Sequence, residues 1–343
     1  MIRRLVHLSL AAAVMSAALS LPACGGGSSY SPASHLAPHY ALGSQVREMT
    51  ASSCATKACV YVSDRYVYGV TAYAKGAKGN VKPASSIIGS KTGLNQPIGV
   101  FLDTHRKIHV ANWGGNTVTV YAAGANGNVA PLDTIAGSNT QLFGPIGIVM
   151  DSGGISYVSE WGSNAVTVYA AGAHGNVAPI RAITGSNTLL ANPLGVALDA
   201  GNKLYVSNYS ASSVVVFAAG SNGNVAPIKL IAGSNTLLSV PQGIALDPTG
   251  KLYVADYGNS SVTVYASGAN GNVKPIRTIA GSNTMLSAPT GVALDSSRNI
   301  YVANQNNNSV TVYANNANGN VAPIRTIVGT NTLLAAPAGV AER

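Results

Sequence analysis

The sequence predicts an all-β protein folded as a six-bladed β-propeller with four antiparallel strands in each blade. A unit of 48 residues recurs without insertion or deletion, as six prolines show: Pro97, Pro145, Pro193, Pro241, Pro289 and Pro337. Each unit carries four strand-like runs separated by Gly, Pro and Asn turn signals. Charged residues make up 9% of the chain, and it contains 38 Gly and 16 Tyr. This composition is typical of short strands joined by tight turns.

The unit that begins at Pro241 shows the four runs in order. The first ends at Asp247 and a Pro-Thr-Gly turn, the third alternates as V-T-V-Y, and the fourth follows an Asn-Gly turn. The runs cover residues 243–246, 252–255, 261–266 and 276–280. The aspartates equivalent to Asp247 are predicted to cap the turn between the first two strands. One four-stranded sheet is not stable alone, so the units must stack, and radial stacking builds a propeller.

Counting strands predicts how the ring closes. The repeats begin at residue 59 on a second strand and end at residues 337–341 on a first strand. The last segment therefore supplies the strand that the N-terminal blade lacks. Pairing the two removes two open sheet edges, which would otherwise be available for aggregation.

The pattern P-x-G-I/V-A-L-D-x-x-G-x-L-Y-V-A/S-D/N resembles the NHL repeat over all six units, residues 59–343. Some members of that family bind RNA or recruit proteins. The Arg that often follows the second strand in the family is replaced here by small residues such as Thr117 and Ser261.

The first residues are predicted to be a targeting signal. Arg3 and Arg4 precede an apolar run, residues 5–21, which is too short for a membrane-spanning helix. The L-P-A-C segment that ends at Cys24 resembles the lipobox of bacterial lipoproteins, which implies cleavage before Cys24 and lipidation of its thiol. The Gly25 that follows implies an outer-membrane anchor, facing either the periplasm or the surface. An ordinary secretory signal with a chance Cys is the alternative.

These features predict three segments. Residues 1–23 are a lipoprotein signal peptide, residues 24–58 a tether and lead-in, and residues 59–343 the propeller. Export permits a disulfide between Cys54 and Cys59, whereas a metal site would need more ligands than this stretch offers. We expect a monomer held to the membrane through Cys24.

The formal charge of +9 does not indicate nucleic-acid binding. Basic residues occupy one repeat position on the predicted outermost strand, where charge blocks edge-to-edge pairing, and they are not interleaved with aromatic residues. They are Arg181, Lys229, Arg277 and Arg325.

Two variable positions at the end of the second strand are predicted to surround the mouth of the central channel. One is mostly aromatic and suits a ligand that stacks on flat rings, such as a sugar. The alternative is that these rings only cover the tops of neighbouring blades. The candidate ligand-binding residues are Arg65, Trp113, Trp161, Tyr209, Tyr257 and Gln305.

The other variable position carries oxygen ligands that would suit Ca²⁺ or Mg²⁺ if they converged. It resembles in a general way the axial metal site of gluconolactonase-like propellers. The alternative is that these side chains hydrogen-bond the hairpin backbone in Asx-turns. The candidate metal ligands are Asp64, Glu160, Asp256, Asn112, Asn208 and Asn304.

No His falls on either mouth position, and this argues against an acid/base enzyme. The repeats also resemble the virginiamycin B lyase group, whose activity requires mouth-facing His and acidic residues. We therefore expect a non-enzymatic envelope lipoprotein that binds a ligand, or a protein or glycan partner, at the mouth, without a cofactor. A metal-dependent lactonase or hydrolase is the alternative.

Overall fold

The computed structural model of the protein describes residues 53–343 and shows six four-stranded antiparallel sheets arranged in a ring. This confirms the predicted fold. From the innermost to the outermost strand, blade 1 contains β24 (Pro337–Glu342), β1 (Cys59–Asp64), β2 (Gly69–Ala74) and β3 (Ser85–Ile87). In the same order, blade 2 contains β4 (Pro97–Leu102), β5 (Ile108–Asn112), β6 (Thr117–Tyr121) and β7 (Asp133–Ile135), and blade 3 contains β8 (Pro145–Met150), β9 (Ser156–Glu160), β10 (Ala165–Tyr169) and β11 (Arg181–Thr184).

The remaining blades repeat this order. Blade 4 contains β12 (Pro193–Leu198), β13 (Leu204–Asn208), β14 (Ser213–Phe217) and β15 (Lys229–Ile231). Blade 5 contains β16 (Pro241–Leu246), β17 (Leu252–Asp256), β18 (Ser261–Tyr265) and β19 (Arg277–Ile279). Blade 6 contains β20 (Pro289–Leu294), β21 (Ile300–Asn304), β22 (Ser309–Tyr313) and β23 (Arg325–Val328).

The two middle strands of each blade form the core. In β17 and β18 every residue is buried, because both faces of the sheet pack against neighbouring blades. The run of apolar residues in these strands is therefore typical of strands covered on both sides. Aspartates cap the turn that precedes them, as the sequence predicts: Asp103 Oδ1 accepts hydrogen bonds of 2.8 Å from the backbone N–H groups of His105 and Lys107.

The ring closes at blade 1, where the C-terminal strand β24 pairs with β1. Val60 pairs with Glu342 and Val62 with Val340, as the strand count predicts. Lys75, the residue after β2, adds two ion pairs at this seam, at 3.0 Å to Glu342 and 3.5 Å to Asp295.

A glycine on each innermost strand sets the distance between blades near the axis. A Cβ atom on Gly195 would lie 2.4 Å from the carbonyl oxygen of Gln242 on the next innermost strand, so only glycine fits there. The same close approach occurs between every pair of neighbouring blades. It includes blades 1 and 2, where a Cβ atom on Gly339 would lie 2.3 Å from the carbonyl oxygen of Ile98. The six glycines are Gly99, Gly147, Gly195, Gly243, Gly291 and Gly339.

Serines strengthen this contact in three blades. Ser159 Oγ accepts a 2.8 Å hydrogen bond from the Gly147 N–H and donates to the Leu194 carbonyl of the next blade. Ser63 and Ser207 make the equivalent pair of bonds. The other three blades carry Ala at this position, for example Ala111.

A second contact joins the blades at their outer edge. A Gly-Asn turn, preceded by Asn in four blades and by Lys78 or His174 in the other two, lies before each outermost strand and against the outermost strand of the preceding blade, where Gly223 bridges Ile183. Asn222 Oδ1 accepts a 3.0 Å bond from the Ala182 N–H, and Asn224 Oδ1 accepts one of 2.7 Å from the Asn187 N–H. The side-chain amides thereby satisfy backbone groups on outermost strands that would otherwise stay unpaired.

The lead-in to the propeller is held by a disulfide between Cys54 and Cys59. Tyr61 Oη donates a 3.2 Å bond to the Cys54 carbonyl, and Arg106 donates one of 2.9 Å to the Lys57 carbonyl. The predicted signal peptide, the lipidation site Cys24 and most of the tether lie outside the described residues. Within residues 53–343, no helix is long and apolar enough to cross a membrane.

Candidate functional site

Two kinds of segment form one face of the ring, which we call the mouth face. The turns between second and third strands cover residues 65–68, 113–116, 161–164, 209–212, 257–260 and 305–308. The connections into the innermost strands cover residues 88–96, 136–144, 185–192, 232–240, 280–288 and 329–336. Turn and connection meet within a blade, since the Trp113 N–H donates a 3.2 Å bond to the Gln96 carbonyl.

Short 3-10 helices shape five of the connections, and the sequence patterns did not predict them. They span Ser138–Thr140, Ser186–Thr188, Ser234–Thr236, Ser282–Thr284 and Thr330–Thr332. In each helix a Thr hydroxyl donates to a Gly carbonyl three residues earlier, as Thr140 does to Gly137 at 2.7 Å. The residue after each helix has a positive φ and an exposed side chain, which is polar in Gln141 and apolar in the other four: Leu189, Leu237, Met285 and Leu333.

The six polar side chains predicted as metal ligands are the last residues of the second strands, and all of them are fully buried. Each accepts a hydrogen bond from a backbone N–H in a connection. Asn208 Oδ1 accepts 3.0 Å from Ala191, and Glu160 Oε2 accepts 2.8 Å from Phe143. Asp64 accepts the most hydrogen bonds. Its carboxylate accepts from the backbone N–H groups of Tyr66 and Val67 in its own turn and of Ala335 and Ala336 in the connection.

This geometry fits a role in fastening the connections better than a role in metal binding. The oxygens that would face an ion already accept backbone hydrogen bonds. Within residues 53–343, no three His, Cys, Asp or Glu side chains are grouped closely enough to hold a metal ion. These side chains bond chiefly to the connection rather than to the hairpin turn. The Asx-turn alternative describes Asp64, and Asp256 also accepts a backbone bond from Asn259 in its own turn. Metal binding stays a prediction, without geometric support from these residues.

Burial shifts two of these carboxyl groups toward their neutral forms. It raises the pKa of Glu160 from 4.5 to about 8, against the opposing effect of its bonds from Phe143 and Thr167. It likewise raises the pKa of Asp256 from 3.8 to about 6. Glu160 is therefore mostly protonated at neutral pH and resembles the amides at the equivalent positions.

The aromatic position lies one residue further on, at the start of each turn, and its side chains reach solvent. Trp161 is 36% exposed and Tyr209 39% exposed, whereas Trp113 and Tyr257 are half-buried. The Arg65 guanidinium lies over the Trp113 ring at 4.9 Å from the ring centre. Gln305 completes the position in blade 6 and is half-buried.

Three exposed aromatic residues on the mouth face were missed from the sequence. Tyr66 is 61% exposed, Tyr68 46% and Phe143 57%. Phe143 lies beside the turn that carries Trp161, because a Cβ atom on Gly162 would contact its ring at 2.5 Å. A signal was present in the sequence, since other units carry Asn, Gly, Ser or Ala at these three positions.

The mouth face is almost without charge. In the twelve segments that form it, Arg65 and Lys91 are the only charged residues, and Lys91 lies at the outer rim, next to Asn128 of the following blade. Asn, Gln, Ser and Thr make up much of the remainder. The face therefore combines flat rings with neutral hydrogen-bonding groups.

Comparison with known proteins gives a family for two of the repeats. The NHL repeat matches residues 238–265 and 286–313, each from a connection to the end of a third strand. The protein is a six-bladed β-propeller with NHL repeats in blades 5 and 6. None of the curated proteins matches the sequence significantly.

Solved structures share the fold of this NHL-repeat propeller at low sequence identity. A protein of unknown function from Bacteroides caccae aligns with a TM-score of 0.61 and 9% identity, over 84% of this chain and 99% of that chain. A nidogen/laminin complex aligns with a TM-score of 0.58 and 14% identity, over 83% and 98%. A streptogramin B lyase aligns with a TM-score of 0.46 and 12% identity, over 64% of this chain and 65% of that one. At these identities the first two similarities show the fold alone.

Proposed function

We propose that this NHL-repeat propeller is a non-catalytic lipoprotein of the cell envelope that binds a saccharide on its mouth face. The observation that carries the proposal is the set of exposed aromatic side chains there, with Trp161 and Tyr209 on neighbouring blades and Phe143 beside Trp161. A soluble protein gains nothing in stability by exposing large flat rings, and sugars stack on such rings through their apolar faces.

The neutral polar groups around these rings support a saccharide over a charged macromolecule. Amide and hydroxyl side chains donate to and accept from sugar hydroxyl groups. Nucleic acid would require a basic face, and the mouth face carries two positive charges. Membrane attachment through Cys24 remains part of the proposal and rests on the lipobox resemblance.

The chain itself supplies a reporter for the test. It contains two Trp residues, Trp113 and Trp161, and both lie on the mouth face. Titration of the purified protein with a panel of cell-wall glycans and oligosaccharides should therefore change its Trp emission when a sugar binds there. Calorimetry then gives the dissociation constant.

Matched variants separate binding at the mouth from binding elsewhere. We expect Trp161→Ala and Tyr209→Ala to weaken binding at least about fivefold each, taking for a sugar ring the roughly 1 to 3 kcal/mol that is typical of a nucleobase stacked on an aromatic side chain. Ile180→Ala, an exposed side chain next to an outermost strand, should leave binding unchanged. A panel without any binder, or unchanged affinity in both aromatic variants, would contradict the proposal. A protein partner lost in the same variants would replace the saccharide.

A further inference from the structure

Arg65 is the one charged side chain among the six equivalent positions at the start of the mouth turns. The other five positions carry Trp113, Trp161, Tyr209, Tyr257 and Gln305. Arg65 is half-buried and lies over the Trp113 ring. Stacking on an indole holds the guanidinium plane in place and leaves its donors free to bond at the edge.

Within residues 53–343, no hydrogen bond or ion pair uses the Arg65 guanidinium, and its Nε atom is buried without a partner. The adjacent carboxylate cannot serve it, because both oxygens of Asp64 accept backbone bonds from the mouth turn and the connection. The Nε atoms of Arg181 and Arg325 are also unpaired, but other nitrogens of their guanidinium groups donate hydrogen bonds, which those of Arg65 do not. Arg277 donates 2.9 Å to the Tyr253 hydroxyl and Arg325 donates 2.9 Å to the Tyr301 hydroxyl.

We propose that Arg65 binds a carboxylate carried by the ligand, so that the ligand is an acidic oligosaccharide containing uronic acid units. This proposal rests on the proposed saccharide binding and deepens it. A guanidinium matches a carboxylate through two parallel N–H donors. The same mouth turn carries the exposed rings of Tyr66 and Tyr68, and Trp113 lies under the cation. A sugar ring can therefore stack on a tyrosine while its carboxylate bonds to Arg65 at the same turn.

The decisive probes are tetragalacturonate and its fully methyl-esterified form, which share one backbone and differ in charge. Calorimetry on the purified protein should give the acid at least about tenfold higher affinity than the ester, and this preference should decrease as salt increases. Arg65→Gln should lower the affinity for the acid to about that for the ester and so abolish the preference. Gln is a suitable replacement because Gln305 occupies the equivalent position in blade 6.

Arg65→Lys keeps the charge but loses the paired donors, so it should retain part of the preference. Inorganic phosphate serves as a competitor, and displacement of the acid by millimolar phosphate would show that the pocket recognises phosphate instead. Equal affinity for acid and ester, no binding of either, or an undiminished preference in Arg65→Gln would overturn the inference. If Arg65→Gln does not fold, the ratio of acid to ester in the unaltered protein decides.

The two proposals fail in different ways. Equal binding of acid and ester that Trp161→Ala weakens would leave the saccharide site standing and remove only the carboxylate. An acid preference that Arg65→Gln abolishes but Trp161→Ala and Tyr209→Ala do not affect would support the carboxylate site and contradict stacking on those rings.

Discussion

Replacing Glu160 with Gln tests whether a buried carboxyl group destabilises this propeller at alkaline pH. Glu160 is fully buried, and burial raises its pKa from 4.5 to about 8. The folded protein therefore holds a proton on Glu160 between these two pH values, while the unfolded chain has lost it. The contribution of Glu160 to stability is therefore most favourable below pH 4.5 and decreases as pH rises to about 8, where the penalty becomes constant.

The size of this effect follows from the pKa difference. Each pKa unit corresponds to about 1.4 kcal/mol, so a shift from 4.5 to about 8 gives up to about 5 kcal/mol. Gln cannot ionise and keeps the length of Glu, and amides such as Asn304 already serve at the equivalent position. We expect Glu160→Gln to match the unaltered protein near pH 5 and to exceed its stability by about 3 to 5 kcal/mol at pH 9.

The assay is urea unfolding followed by far-UV circular dichroism at pH 5, 6, 7, 8 and 9. Dichroism is preferred because the emission of Trp161, the adjacent residue, responds to Glu160 ionisation without unfolding. Asp256 also titrates, with a pKa of about 6, but it does so in both proteins and cancels in the difference. A stability difference that does not change with pH, or one that favours the unaltered protein at pH 9, would refute the reasoning.

Four further predictions concern the contacts that hold the ring. Gly195→Ala should cost at least about 3 kcal/mol or prevent folding, because the new methyl group meets backbone on the next blade; thermal unfolding measures it, and an unchanged midpoint would contradict the close approach. Deleting residues 337–343 should expose the edge of β1 and produce aggregates in light scattering, whereas a monodisperse product would show that closure is dispensable. Replacing Cys54 and Cys59 with Ser should lower the free energy of unfolding by about 2 kcal/mol, the loop-closure entropy of a short loop, and an unchanged free energy would show that the lead-in does not contribute to stability. Ser159→Ala should cost about 1 kcal/mol in urea unfolding, since it breaks the bridge between Gly147 and Leu194, and a larger loss would contradict the tolerance that Ala111 indicates.

The architecture was predictable from the sequence because its signals are periodic. Prolines at a constant interval locate the innermost strands, and the orphan strand at 337–341 predicts the closure that the structure confirms. The fourth run, 276–280, is shorter in the structure, where β19 covers Arg277–Ile279. The Arg277 side chain also turns back onto Tyr253 of the second strand, so its position reflects a specific contact as well as protection of an edge.

The burial of the polar position was not predictable, because its cause is not local. The second strand continues to Asp256, one residue beyond the predicted run, and Ser239 lies 17 residues earlier in the chain. Sequence patterns describe the residue type but not which backbone N–H it meets. The exposure of Phe143 was not predictable for a related reason, since it depends on how the neighbouring turn at Gly162 lies against the ring.

Closure of the ring, rather than the circle of glycines on the innermost strands, limits how many repeats this chain can hold. Each glycine packs against the next blade in the same way, so any one repeat could be copied or lost without creating a mismatched neighbour. A linear array would tolerate such a change, because its length is free. Here the last strand must return to the first, and Cys59 and Arg343 exchange backbone hydrogen bonds of 3.1 and 3.3 Å. A duplicated repeat would leave those two ends apart, so copy number is fixed by the circumference rather than by the chemistry of the contact between blades.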